Sequence, residues 1–258
     1  MDASFVGAGL PVDHKGFSAC LDLMGIGAPE LWAVLSVETR GTGFDNQRRP
    51  RILFERHVFS KRSKGVHDGA HPDISNRTPG GYGSFDSQYD RLQKALKLDR
   101  SAALESASWG IGQIMGFNAK VAGYPGVEQM VADMADSEAG QLMAMGNFLI
   151  ANALTKPLAQ HDWPTFARKY NGPDFRINQY DSRLNSQYEK FKAGPMPDLT
   201  VRAAQQLLIY LRYSPGAVDG LQGRMTTSAL HEFMQKEGLP QSDVIDQNLV
   251  DRLRQKLG

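Results

Sequence analysis

The amino-acid sequence predicts a mainly α-helical protein, with a small β-sheet in a large N-terminal domain and a separate bundle of three short helices at the C-terminus. Apolar residues recur at helical spacing over most of the 258 residues. The main exception is the run 51–59, whose β-branched and aromatic content predicts a strand. Hydrophobic residues make up 41% and charged residues 22% of the chain, as in ordinary globular proteins, so a folded core is expected throughout.

Composition argues against several functional classes. The formal net charge of +1 gives no overall electrostatic case for a nucleic-acid-binding protein. The single cysteine, Cys20, excludes an intramolecular disulfide and a multi-cysteine zinc site, and we interpret it as a core residue. The spacing of His57, His67 and His71 matches no usual ligand pattern, so we expect no metal and no other cofactor.

The N-terminus and the hydropathy pattern bear on localisation. The first residues, Met-Asp-Ala-Ser-Phe-Val-Gly, lack the basic start and apolar core of a signal peptide. No segment has the length of apolar sequence that a membrane-spanning helix needs. We therefore expect a soluble, monomeric chain that is made in the cytoplasm.

The central motif is the stretch 36–44, Ser-Val-Glu-Thr-Arg-Gly-Thr-Gly-Phe. It follows the apolar run 31–35, which predicts a buried helix, and Gly41 and Gly43 end that helix within one turn. Glu38 is therefore expected near the end of a buried helix, where desolvation favours the protonated carboxyl and suits it to general acid catalysis. The alternative is that Glu38 belongs to the exposed last turn of a core helix.

A second carboxylate lies inside the predicted strand. Strict alternation along 51–59 places Leu53, Glu55 and His57 on one face. Glu55 then points either into a cleft or at solvent, where an arginine would pair with it. The stretch 61–85 that follows is rich in Gly, Pro, Ser, Asn, Asp and His, and it predicts a long loop on the rim of a cleft.

Small residues and glycines surround a third group of candidates in the stretch 103–118. They let the backbone approach a ligand closely while a planar ring and an amide point at it, although a tightly packed core turn is the alternative. Further along, a predicted helix end presents an aromatic ring and an amide at a loop. The candidate residues in these two places are Glu105, Ser108, Trp109, Gln113 and Met115, followed by Tyr170 and Asn171.

The sequence predicts a separate domain in the C-terminal part of the chain. The segment 192–198, Lys-Ala-Gly-Pro-Met-Pro-Asp, has the composition of a linker. Beyond it, three short helical patterns contain no clustered acid, base and nucleophile, which indicates a binding module. We therefore predict two domains, 1–192 and 199–258. If they are independent, residues 1–192 alone should keep catalysis with weaker attachment to the substrate.

The module 199–258 resembles the three-helix peptidoglycan-binding domain, and this resemblance implies attachment to bacterial cell wall. The match covers the whole module and its motif is specific. The residues that carry it are Val201, Arg202, Gln205, Leu208, Leu211, Tyr213, Pro215, Gly216, Val218, Asp219, Gly220, Gly223, Thr226 or Thr227, Leu230 and Phe233.

The domain 1–192 resembles the N-acetylmuramidase domain of phage endolysins, a lysozyme-like family. The order of motifs is also similar to goose-type lysozymes and soluble lytic transglycosylases, although Thr39 stands where the usual residue after the glutamate is Ser. The segments that carry the resemblance are 37–41 with 43–44, 52–59, 108–110 with 113–118, and 170–172.

The resemblance implies an assignment of roles. Glu38 would protonate the glycosidic oxygen between N-acetylmuramic acid and N-acetylglucosamine, and in an inverting hydrolase Glu55 or Glu105 would activate water from the opposite face. A rival assignment makes Glu105 the acid, because the neighbouring Trp109 could raise its pKa. Two other classes stay open: a lytic transglycosylase that forms 1,6-anhydro products without activating water, and a non-catalytic wall-binding protein.

The resemblance to phage lysins also implies a partner. Peptidoglycan lies beyond the inner membrane, and the sequence shows no basic amphipathic segment strong enough to disrupt lipid. A separate, holin-like membrane-permeabilising protein would therefore release the folded enzyme from the host cytoplasm to the cell wall, where it would cause host lysis.

Overall fold

The protein is mostly helical and contains one small sheet, which confirms the predicted fold class. The computed structural model describes residues 4–38 and 42–257, without the side chains of Glu38 and Asp174. The longer helices of the described chain are α1 His14–Met24, α2 Ala28–Glu38, α3 Arg56–Arg62, α4 Gln88–Leu96, α5 Arg100–Glu105, α6 Val127–Asp136, α7 Glu138–Ala151, α8 Thr155–Ala159, α9 Trp163–Asn171, α10 Tyr180–Ala193, α11 Leu199–Tyr210, α12 Arg224–Lys236 and α13 Gln247–Gln255. Short 3-10 helices span Phe85–Ser87, Gly116–Asn118 and Pro173–Arg176. The strands are β1 Ile52–Phe54, β2 Ala107–Trp109 and β3 Ile114–Met115.

The described residues form two compact units that do not follow chain order. The first contains residues 4–9, 43–45 and 49–152, and the second contains 10–38, 42, 46–48 and 153–257. The small sheet belongs to the first unit, whereas α1, α2 and all helices from α8 onwards belong to the second.

The sheet of the first unit is antiparallel, in the order β1-β2-β3. Ile52 pairs with Trp109, Phe54 with Ala107, and the short return strand β3 pairs Met115 with Ser108. Helix α4 packs against β1, and α5 packs against both α3 and α4. The end of β1 and the start of β2 therefore lie side by side at one end of the sheet. The candidates Glu55, just after β1, and Glu105, shortly before β2, flank this end.

In the second unit, α2 packs along α10, and α11 packs against α13 and α12. Trp32 is buried on α2, where its ring stacks on Phe17 at a centroid distance of 5.1 Å and lies 6.4 Å from the ring of Phe191. The three-helix pattern predicted for the C-terminal module is therefore observed as α11, α12 and α13.

The strand predicted over 51–59 is wrong beyond Phe54. The chain leaves the sheet at Glu55, and α3 begins at Arg56 because the amides of Val58 and Phe59 donate to the carbonyl of Glu55, each at 3.1 Å. Phe59 is buried against Phe54 at a centroid distance of 5.9 Å. The aromatic content of this run thus reflects burial by a helix and not pairing in a sheet, and the predicted alternation of Glu55 and His57 does not apply.

Within the described part of the chain, no single helix is long and apolar enough to cross a membrane. By length and composition alone the pair α1 and α2 passes that test together, with a bend of 101° between the two helices.

Candidate active site

Helix α2 ends at Glu38, as the sequence predicts. The apolar residues before it are buried, with Leu31 fully inaccessible and Leu35 1% exposed. The side chain of Glu38 and residues 39–41 lie outside the described part of the chain. The chain is described again from Thr42, which is buried.

Two polar side chains of α7 organise the segment that follows. The buried carboxylate of Glu138 accepts a hydrogen bond from the amide of Gly43 at 2.9 Å. The Oε1 atom of Gln141 accepts from the amide of Ile111 at 2.7 Å, and a Cβ on Gly43 would lie 1.8 Å from that same Oε1 atom. Only glycine therefore fits at position 43. Glu138 and Gln141 were not predicted as site residues. The feature that could have indicated them is a pair of polar residues, three positions apart, within an apolar helical pattern.

Glu55 occupies the junction between β1 and α3. Its amide donates to the carbonyl of Ser106 at 2.9 Å, and its carboxylate makes no capping bond to the first turn of α3. The side chain is 21% exposed, and Oε2 lies 3.4 Å from Nδ1 of His57. Burial raises the pKa of the Glu55 carboxyl, whereas the charge of His57 lowers it by less. A half-buried carboxylate of raised basicity thus stands at the edge of the sheet.

Glu105 lies at the same edge, because it ends α5 just before Ser106. Its carboxylate is 3.3 Å from Nη1 of Arg62, with which it forms an ion pair. The guanidinium of Arg62 also lies 4.9 Å from the ring centre of Phe117, which is 41% exposed. The two acidic candidates therefore differ in environment, since among the described residues Glu105 pairs with an arginine and Glu55 does not.

Trp109 does not present its ring to a ligand, contrary to the sequence-based expectation. The side chain is fully buried, its ring packs on Phe5 at a centroid distance of 5.6 Å, and its indole N–H donates to the carbonyl of Leu104 at 3.0 Å. The alternative reading of this stretch, a packed core turn, describes Trp109 correctly.

The polar candidates on either side of Trp109, Ser108 and Gln113, bind one another. The Ser108 hydroxyl donates to Oε1 of Gln113 at 2.8 Å, and Nε2 of Gln113 donates to the carbonyl of Gly110 at 2.8 Å. Gln113 also has a φ of +47°, which is unusual for a residue other than glycine. Its amide therefore fixes the turn between β2 and β3. Met115 is half-buried on β3, opposite Ser108.

Tyr170 and Asn171 are the last two residues of α9, in the second unit. Tyr170 is half-buried and its ring stacks on Phe166 at a centroid distance of 5.4 Å, while Asn171 is exposed. The helix ends there, as predicted, with Gly172 following at a φ of +90°.

Two of the three histidines considered for a metal site, His67 and His71, pack against other aromatic rings. The ring of His67 stacks on Phe59 at 5.8 Å, and His71 lies edge-on to His67 at 6.4 Å. Beside them Asp68 accepts bonds from Ser75 at 2.6 Å and Ser60 at 3.0 Å, which lower its pKa. Among the residues that the structure describes, no group of three His, Cys, Asp or Glu could hold a metal ion.

Comparison with known proteins identifies the class to which this fold and site belong. The N-acetylmuramidase family model matches residues 27–192, and the model of a putative peptidoglycan binding domain matches residues 198–253. Because the first match covers more than half of the chain, the chain belongs to the N-acetylmuramidase family. It is a glycoside hydrolase that acts on peptidoglycan, and the bacterial cell wall is its site of action.

One solved structure is similar over most of both chains. It is the crystal structure of Burkholderia AP3 phage endolysin, which is 34% identical, with a TM-score of 0.64 over 69% of this chain and 70% of that chain. A comparison with curated proteins gave no match. The predicted enzyme class is confirmed, and neither the lytic transglycosylase nor the non-catalytic alternative is favoured.

Proposed function

We propose that the enzyme cleaves the β-1,4 bond after N-acetylmuramic acid by inversion, with Glu38 as general acid and Glu55 as the base that activates water. The observation that carries the choice of Glu55 is its half-buried carboxylate at the sheet edge, which has no arginine partner among the described residues. A carboxylate whose pKa is raised by burial is a stronger base towards water than an exposed one. Inversion requires such a base on the face opposite the acid.

Glu105 is the weaker candidate for either role. Its carboxylate is already engaged in an ion pair with Arg62. We propose instead that Glu105 orients Arg62, whose guanidinium lies over the exposed ring of Phe117. Phe117 then offers a sugar-stacking surface at the site, a role that the sequence-based reasoning gave to Trp109.

The other predicted substrate-binding residues receive two kinds of role. Ser108, Trp109 and Gln113 hold the turn between β2 and β3, and Met115 adds apolar surface beside it. Tyr170 and Asn171 remain candidates for direct contact with substrate, since one is half-buried and the other exposed at the end of α9. In the same proposal, residues 1–192 carry catalysis and residues 199–258 bind the wall.

Glu55→Gln should lower the rate by at least about tenfold, because water then attacks without a base. It should also stabilise the protein at neutral pH. Burial raises the folded-state pKa of Glu55 above its ordinary value of 4.5, so ionisation of this group opposes folding above that pH. The stability gain should therefore shrink as the pH falls towards 4.5. Thermal unfolding across pH, alongside wall-clearing rates, measures both effects.

Glu105→Gln is the matched control for that experiment. It should keep most activity and should not show a stability gain at neutral pH, because it removes a carboxylate that is paired with Arg62. The products of the wild type give an independent check. Hydrolysis adds one water per cut, and inversion of a β-bond releases the α-anomer first. A β-anomer, or a dead Glu105→Gln beside an active Glu55→Gln, would overturn the assignment of Glu55.

We further propose that the enzyme serves host lysis as a monomer and reaches the wall through a membrane-permeabilising, holin-like protein. The support is the similarity to a phage endolysin. Expression in the cytoplasm of a Gram-negative cell should then be tolerated until chloroform or a co-expressed pore former opens the membrane. Culture density should fall quickly at that point with the wild type and stay level with Glu38→Gln. Prompt lysis on expression alone would contradict the need for a second protein.

A further inference from the structure

Two arginines of the first unit have guanidinium groups without acidic partners. Arg56 is the first residue of α3, and Arg91 lies on α4. The Nε atom of Arg56 and the Nε and Nη2 atoms of Arg91 are buried, and they have no hydrogen-bond acceptor. Among the described residues, neither guanidinium takes part in an ion pair. Buried N–H donors that lack an acceptor are costly, so this arginine pair favours a bound anion.

The charges around the arginine pair leave a positive excess. Burial lowers the pKa of Arg91, and the nearby charge of Arg56 lowers it further, while the charge of Asp73 acts in the opposite direction. Asp73 is itself held by Lys94, whose Nζ lies 3.0 Å from Oδ2. Among the described residues, the acidic group that acts on the pKa of Arg91 is therefore also bound by Lys94, and a further anion would relieve the repulsion between the two guanidinium groups.

A glycine loop, residues 80–83, covers this site. Gly81 has a φ of +65°, and a Cβ on it would lie 2.7 Å from Cζ of Arg56, so the backbone of the loop touches the guanidinium. Gln88 anchors the loop, because its Nε2 donates to the carbonyl of Tyr82 at 2.6 Å and its Oε1 accepts from the amide of Phe54 at 2.9 Å. These anchoring bonds do not use the guanidinium groups of the two arginines.

The glycine loop lies close to the proposed base. Burial raises the pKa of Tyr82 on this loop, and the charge of Glu55 raises it further. Arg56 also follows Glu55 directly in the chain. Arg56 therefore adjoins the proposed base on the side of the glycine loop.

We propose that Arg56 and Arg91 bind a free carboxylate of the peptide stem of peptidoglycan. The glycan backbone is neutral where the lactyl group is amide-linked to the stem, so the anionic groups of this substrate are stem carboxylates. The planar fork of a guanidinium matches a carboxylate in a bidentate arrangement. The site selects glycan chains that carry peptides. The proposal rests on the proposed role of Glu55 only for its position beside the cleft.

The test compares two forms of purified peptidoglycan, one native and one whose free carboxylates have been converted to amides with carbodiimide and ammonia. The full-length wild type should cleave the native form with a kcat/KM about tenfold higher, mainly through KM, as expected for a charge-assisted hydrogen bond. In the double variant Arg56→Gln/Arg91→Gln this ratio should fall towards one. The matched control is Arg77→Gln, because Arg77 is a largely exposed arginine that should leave the ratio as in the wild type.

Equal rates of the wild type on both substrates would overturn the proposal, as would a double variant that keeps the wild-type ratio. If the double variant does not fold, Arg91→Lys replaces it, since lysine keeps the charge but loses the fork. Its ratio should still fall, and an unchanged ratio would contradict the proposal. Glu55→Gln should slow cleavage of both substrates alike, so failure of the proposed base assignment is visible separately.

Discussion

Glu38→Gln should lower the rate of peptidoglycan hydrolysis by at least about a hundredfold, because the amide cannot supply the proton that the departing sugar oxygen needs. The substitution is nearly isosteric and lies at the end of α2, so the fold should survive. Rates on purified peptidoglycan, together with thermal unfolding of the same preparations, separate loss of chemistry from loss of structure.

The pH profile and a second variant test whether Glu38 or Glu105 is the general acid. A general acid at position 38 should give the alkaline limb of the wild-type profile, and that limb should vanish from the residual activity of Glu38→Gln. Near-wild-type lysis by Glu38→Gln combined with a dead Glu105→Gln would transfer the role of acid to Glu105. Wild-type activity in both variants would remove both residues from the chemistry.

Removal of residues 193–258 should cost stability and catalysis, and not attachment to the wall alone. Within the second unit, the Thr42 hydroxyl donates to Oε1 of Gln206 at 2.7 Å, and Nε2 of Gln206 donates to the Tyr210 hydroxyl at 2.6 Å. All three side chains are buried. Helix α11 therefore holds a residue only four positions after Glu38. We therefore expect residues 1–192 alone, which the sequence predicts to keep catalysis, to do so at a lower rate and with lower stability.

A guanidinium–ring contact and a shared cavity also connect α2 with the C-terminal module. Arg202 of α11 is fully buried and its guanidinium lies 6.0 Å from the ring centre of Trp32 on α2. Trp32 and Leu35 also line a cavity of about 260 Å³ together with Val218 and Leu221 of the module. Truncation at residue 192 should therefore expose apolar surface of α2 and lower the free energy of unfolding by about 2–4 kcal/mol. Denaturant unfolding of the two chains measures this difference.

A point variant separates this contact from wall attachment. Gln206→Ala should lower stability by roughly 1–3 kcal/mol and reduce kcat on soluble peptidoglycan fragments, where attachment no longer matters. The matched control is Gln235→Ala, because Gln235 is exposed on α12. If residues 1–192 have the stability and kcat of the full chain, α11 does not support the segment after Glu38, and the two predicted domains are independent.

Local pattern was sufficient where the structure depends on local interactions. Helical periodicity predicted the mainly α fold and the three helices of the C-terminal module, and glycines at 41 and 43 predicted the end of α2 at Glu38. The motifs of both domains were also recognisable from the sequence, because each is a short run of residues. Family models match both regions. These features require no knowledge of which distant segments meet.

The errors arose where tertiary packing decides the structure. Glu55 lies at a strand-to-helix junction because α3 buries Phe59 against Phe54, whereas the same aromatic residues suit a strand equally well when read alone. Trp109 faces Phe5, about a hundred positions away in the chain, so no local pattern could show that its ring is buried. Glu138 and Gln141 were not predicted because their partners, Gly43 and Ile111, are far away in sequence.

The sequence by itself determined the fold class, the family and the position of Glu38 at a helix end. Only the tertiary structure decided which carboxylate pairs with an arginine. Arg62 of α3 forms an ion pair with Glu105, whereas Glu55 lies half-buried beside His57. The same holds for Arg56 and Arg91, which both border the glycine loop 80–83, with Gly81 against Arg56 and Gly83 against Arg91. The physical reason is that pKa and unpaired charge depend on burial and on neighbours brought together by folding, whereas helices and motifs depend on residues adjacent in the chain.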